Sequence, residues 1–97
     1  MSKYKDQPTI LQKRKYCKIC GREFVPLEHH HVFEGSANRR QSAEAGLWVW
    51  VCRECHEHIH NCPAAHINLK QDAQRTAMKA YDWDFDDWRE RFGKNYL

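Results

Sequence analysis

Two cysteine pairs of identical spacing, Cys17-x-x-Cys20 and Cys52-x-x-Cys55, restrict the folds open to this chain more than any other feature. A tight turn aims both thiolates of such a pair at one ion, and Gly21 after the first pair accepts the positive φ that such a turn needs. Two matched pairs specify a tetrahedral four-thiolate zinc site, so residues 17–20 and 52–55 are expected to meet at one point. A thioredoxin-like redox use would call for a βαβ pattern, which surrounds neither pair. Cys62 is left over and reads as a small thiol outside the site, buried or exposed.

The metal reading depends on the compartment. The first residues contain no apolar run resembling a signal peptide, so a reducing cytosol is expected, where structural disulfides are disfavoured. An apolar fraction of 41%, a charged fraction of 30% and a mean hydropathy of −0.93 describe a soluble globular protein rather than a disordered or membrane-spanning one. No apolar segment approaches the roughly 20 residues that cross a bilayer, so no membrane partner is expected. Ninety-seven residues allow one domain with a modest apolar core that something must supplement. The net charge of +3 is uneven: Lys3, Lys5, Lys13, Arg14 and Lys15 stand against Asp6 alone, whereas Asp82, Asp84, Asp86 and Asp87 cluster near the other end. A basic end suits a polyanion, or is simply a solvated terminus.

Along the chain, residues 1–12 lack periodicity, include Pro8 and read as an extended or partly mobile basic arm, with a single domain over 13–97. Residues 23–28 approach a first strand expected at 31–33. Residues 34–46 are polar and small, which reads as a loop with a helical turn over 42–45. Residues 47–51 are β-branched and aromatic, giving a second strand covered on both faces. A helix is expected over 52–60, ended by Asn61, Cys62 and Pro63. A longer one follows over 64–81, with Leu69, Ala73, Thr76, Ala77 and Ala80 as its stripe. The last, over 84–92, places Phe85, Trp88 and Phe92 on one side before Gly93. Both stripes read as core.

Six of the seven histidines fall in two short segments, 29–31 and 56–60. Neutral imidazole is both a common transition-metal ligand and a side chain that exchanges a proton near neutrality, so the two segments read as one site that binds a metal and does acid–base chemistry. On a helix, His56 and His60 share a face while His58 points elsewhere. His29 and His58 are expected to face away from the site. His66 opens the next helix, as an ordinary terminal histidine or as a further ligand if the chain folds back.

Tandem histidines on a first strand, a polar loop, a second strand ending in a cysteine pair, and His-x-x-x-His on the following helix resemble the HNH, or ββα-metal, nuclease family over residues 17–61. More narrowly, the run His-His-Val-Phe-Glu-Gly-Ser-Ala-Asn-Arg at 30–39 and residues 92–97 resemble small phage-encoded HNH-type proteins. The resemblance implies an α+β fold: a small ββα-metal (His-Me finger) motif over 17–61, pinned by the four-cysteine zinc site and followed by C-terminal helices over 64–97. It implies His31 as general base and His30, His56 and His60 as ligands of one divalent catalytic metal. A family asparagine usually stands where this chain has Leu47, so Asn38, or a backbone carbonyl, is expected to orient His31 instead. A bacterial host cytoplasm is the implied location for a phage-encoded chain.

Phosphodiester hydrolysis needs those roles whatever the family. A water must lose a proton, which an imidazole takes, and charge grows on phosphate oxygens, which a divalent cation stabilises. The expected function is a metal-dependent DNA endonuclease or nickase. Imidazole ligands favour Zn2+, Ni2+, Co2+ or Mn2+ over Mg2+, so a structural Zn2+ and a catalytic divalent metal (Mn2+, Ni2+ or Zn2+, with Mg2+ less effective) are expected. Arg39 and Arg40 are candidates for gripping flanking phosphates, extended by Lys13, Arg14, Lys15 and Arg53; plain solvation of these side chains is the alternative. The expected partner is DNA, double-stranded, with a homodimer or an accessory phage protein expected to supply site specificity. The competing function is a catalytically silent, zinc-stabilised module that binds nucleic acid or protein. A zinc hydrolase of another substrate would need a dedicated pocket, which nothing in the sequence outlines.

Overall fold

Alternation along the second strand decides how the molecule is layered. In the computed structural model, which describes residues 6–33 and 35–97, β1 (Leu27–His31) and β2 (Trp48–Cys52) pair antiparallel, from Leu27 opposite Cys52 to His31 opposite Trp48. Side chains on a strand point alternately to its two faces. Val49 and Val51 therefore share one face with Glu28 and His30, and Trp48 and Trp50 share the other with His29 and His31. The helix over Arg53–Asn61 packs against both strands, and Val49 and Val51 on the valine face are wholly buried. On the tryptophan face runs the N-terminal segment: the Trp48 indole N–H donates to the carbonyl of Gln7 at 2.7 Å, and the Thr9 hydroxyl donates to the carbonyl of Trp48.

The order of elements is β1, α1 (Ser36–Ala45), β2, α2 (Arg53–Asn61), α3 (Pro63–Tyr81) and α4 (Phe85–Phe92). This is an α+β arrangement with a two-stranded sheet. Two expectations need correction. The first strand lies at 27–31 rather than 31–33, because pairing begins at Cys52 and ends where Val32 and Phe33 turn into the core, both at 0% exposure. The polar stretch expected as a loop is instead the ten-residue helix α1. Its residues are small or helix-tolerant, Arg40 pairs with Glu44 one turn on at 3.0 Å, and Ser42, Ala43 and Ala45 are buried. Tertiary burial offsets what the sequence lacks in apolar periodicity.

Gly46 ends α1 at φ 70, with the N–H of Leu47 bonded back to Ser42 at 2.8 Å. The N-terminal segment passes here: the N–H of Gln7 donates to Ala43 at 2.8 Å and that of Ile10 to Gly46 at 3.0 Å. From Asp6 onward the expected arm thus lies along the α1–β2 corner. Its residues 1–5, and Glu34, lie outside the described part.

Pro63 opens α3 at a position where a missing N–H costs nothing. Leu69, Ala73 and Ala77 of its expected stripe are buried, Thr76 is half-buried and Ala80 is exposed. A capping box between Asp84 and Asp87 starts α4, which buries Trp88 and Phe92 but leaves Phe85 half-exposed. Their rings close around Phe33, whose centroid lies 5.2 Å from Trp88 and 4.8 Å from Phe92. Among the described residues, no helix is long and apolar enough to cross a membrane.

Candidate metal centres

The four cysteines come together as their spacing demands. Gly21, at φ 79, closes the first turn with its N–H on the carbonyl of Cys17 at 2.8 Å, while Cys52 ends β2 and Cys55 lies in the first turn of α2. All four sulfurs lie within 4.8 Å of one another, and those of Cys20 and Cys52 are 3.9 Å apart. Zinc–sulfur bonds of about 2.3 Å in a tetrahedron put sulfurs roughly 3.8 Å apart, so the cluster fits that ion. Burial by itself would push the Cys17 thiol up, but the backbone N–H groups of Cys20, Cys52 and Ile19 aim at its sulfur and bring it down to about 6. Burial, with hydrogen bonding to Cys52, Cys17 and Cys20, pushes Cys55 above the usual thiol range. The four cysteines can hold a metal such as zinc.

At the far end of the same hairpin stands a cluster of imidazoles. Among the described residues β1 pairs only with β2, and side chains from both of its faces, His30 on one and His29 and His31 on the other, line the cleft. His30 points inward at 3% exposure, and His56 and His60 stand one turn apart on α2. Ring centroids are 5.1 Å apart for His30 and His56, 5.6 Å for His30 and His60, and 5.0 Å for His56 and His60. One nitrogen from each ring lies within 4.8 Å of the others, against the roughly 3.4 Å between neighbouring nitrogens of a tetrahedral site. The chemistry of the donors agrees. Nε2 of His30 is buried without a hydrogen-bond partner among the described residues. Burial first, then neighbouring His56, His66, His60 and His31, bring His30 down to about 3, keeping it neutral with a lone pair to offer. Nδ1 of His56 bonds Glu28 at 2.9 Å, which orients the ring and leaves Nε2 for a metal.

His31 lines the same cleft, a space of about 270 Å³ shared with His29, His30, Arg39, His56 and His60. Its Nε2 lies 2.7 Å from Oδ1 of Asp6, and the other oxygen of that carboxylate lies 2.8 Å from Nδ1 of His29. Burial would raise the Asp6 carboxyl, but hydrogen bonds from His31 and His29 outweigh it and hold the group below its ordinary range. The orienting partner of His31 is therefore Asp6; Asn38 lies half-buried on α1, outside the cleft lining.

His29, expected to face away, shares a strand face with His31 and stacks on Trp48 at a centroid distance of 3.9 Å. His58 is exposed on the far side of α2. The ring of His66 approaches that of His30 to 5.5 Å and that of His60 to 6.4 Å, so the chain does fold back there.

Of the expected phosphate contacts, Arg39 lines the cleft. Arg40 is turned to Glu44, Arg53 lies 3.9 Å from Glu57, and Arg14 is held by Glu23. Lys13, Arg14 and Lys15 line a neighbouring cavity on the tryptophan face. Asp6 and Glu28 escaped the sequence reading. Asp6 is the lone acid among the N-terminal bases, and Glu28 precedes His30 by two, on the same strand face; both were visible signals. Comparison with known proteins adds no relative: no family model, no curated protein and no solved structure matches the chain.

Proposed function

We propose that this chain is a metal-dependent DNA endonuclease or nickase of the ββα-metal type. The observation that carries the reading is the convergence of His30, His56 and His60 on one point of a cleft that also holds His31. Gathering imidazoles with one of them buried and neutral serves coordination and proton transfer, and a pure binding module gains little from it. His30, His56 and His60 would hold the divalent cation, which when bound stabilises charge growing on phosphate oxygens. His31 takes the proton of the attacking water at Nδ1, because its Nε2–H is donated to Asp6. That carboxylate fixes the tautomer and steadies the imidazolium that forms. Arg39 supplies a fixed positive charge over the cleft for the scissile phosphate or its neighbour.

Supercoiled plasmid incubated with the protein and Mn2+, Ni2+, Zn2+ or Mg2+ tests this. Nicking or linearisation is expected with the transition metals and less with Mg2+, falling about a hundredfold or more in His31→Ala and unchanged in His58→Ala. Cutting that survives in His31→Ala removes the assigned base. A gel shift by the wild type without any cutting leaves the silent binding module instead.

A further inference from the structure

On the tryptophan face of the sheet lies an open cavity of about 320 Å³. Its lining includes Lys13, Arg14, Lys15, Trp48 and Trp50. The volume lies near the lower end of the roughly 300–1,000 Å³ usual for small-molecule sites. Trp48 is almost fully buried, capped on one face by His29. Trp50 differs: it is the one residue of β2 left half-exposed, held near-perpendicular to Trp48 at 5.1 Å and to His29 at 4.4 Å. Over its ring sits the Lys15 ammonium, 4.3 Å from the centroid, on a long, exposed and flexible side chain. A braced indole is a rigid platform, and a lysine resting on it is easily exchanged for another flat π-system while the ammonium moves to an anion. Lys13 adds a second exposed cation beside it, whereas Arg14 is held by Glu23.

From these residues we infer that Trp50, Lys13 and Lys15 form a subsite for a single-stranded DNA segment, stacking one unpaired base on the indole and pairing its phosphates with the two lysines. Aromatic platforms bordered by cations are the general means of holding unpaired nucleotides. His29 links cleft and cavity: it lines the cleft, stacks on Trp48 and meets Trp50 near-perpendicular at 4.4 Å, and both tryptophans line the cavity. A strand lying in the cleft thus continues past His29 onto Trp50. The subsite rests on the proposed nuclease reading for its partner class, and it adds a preference: the substrate presents an unpaired stretch beside the scissile bond.

The test is binding of a fluorescein-labelled oligodeoxynucleotide to the zinc-loaded protein without a second metal, single-stranded against duplex of the same sequence. The single strand is expected to bind more tightly and to quench tryptophan emission. Trp50→Ala should weaken it about tenfold or more, while Trp50→Phe, which keeps a ring, should hold affinity within about threefold. Lys13→Gln with Lys15→Gln should lower the dependence of log affinity on log salt by about 1.4, two phosphates at roughly 0.7 each. Equal affinity of Trp50→Ala, Trp50→Phe and wild type for the single strand, or tighter binding of duplex that ignores Trp50, overturns the subsite. Plasmid cutting by the same variants is read separately: cutting intact with stacking absent sinks only the subsite, and stacking intact without metal-dependent cutting sinks only the nuclease.

Discussion

Asp6 and His30 show how single residues acquire their chemistry from the fold. Asp6 is the only acid near the chain start, and its carboxylate bridges His31 and His29 across 25 and 23 positions of sequence. Asp6→Asn keeps the shape but can present an amide N–H to His31, favouring the wrong tautomer. Cutting should fall about tenfold or more at saturating DNA, with the affinity for the second metal unchanged; an unaltered rate would show that His31 needs no such anchor. For His30 the sign follows from burial. Folded, it titrates near about 3; unfolded, near the ordinary 6.5, so below about pH 6.5 the unfolded chain binds the extra proton. Stability is complete above that pH and is lost as pH falls from about 6.5 towards 3, by up to about 1.4 kcal/mol per unit. Urea unfolding at pH 7.5 and 5.5, without a second metal, should show a steeper loss in the wild type than in His30→Gln. Parallel losses would contradict it.

Among the elements, those with a strong period were legible and those made by long-range packing were not. The His56 and His60 face of α2 and the buried part of the α3 stripe follow from helical spacing alone. The ten-residue α1 was hidden because its inward residues, Ser42, Ala43 and Ala45, are small or polar and give no apolar signal. The first strand was displaced by four residues because its register is set at the cysteine cluster rather than by its own side chains. Asp6 escaped for the same kind of reason: its role exists only once residues 7–10 run beside α1 and β2. Gly46 is the joint of that arrangement. A Cβ there would lie 2.4 Å from the carbonyl oxygen of Pro8, at a φ of 70 that side chains resist. Gly46→Ala should cost at least about 1–2 kcal/mol and lower Tm by several degrees or more in a thermal melt. An unchanged Tm would mean that the N-terminal segment does not press on this corner.

At the scale of the whole molecule, a hairpin carries cysteines at one end and imidazoles at the other, and the proposed function gives the two clusters different work. The core gathers around Phe33, Trp88 and Phe92, and the four cysteines join the Cys17–Cys20 turn to the end of β2 and the start of α2. Stripping zinc with a chelator, or Cys17→Ser, should abolish the cooperative melt, since binding of a structural zinc is worth of the order of 10 kcal/mol. A chelated protein that still melts cooperatively at the same temperature would assign the fold to its core alone. The imidazole end should be dispensable for folding and decisive for chemistry. Calorimetric titration of Ni2+ into the zinc-loaded protein addresses that division most directly. One further ion per chain is expected in the wild type and none in His56→Ala, with the zinc retained in both. Failure of the wild type to take up a second ion, or uptake by His56→Ala with undiminished affinity, would contradict a metal centre built from His30, His56 and His60.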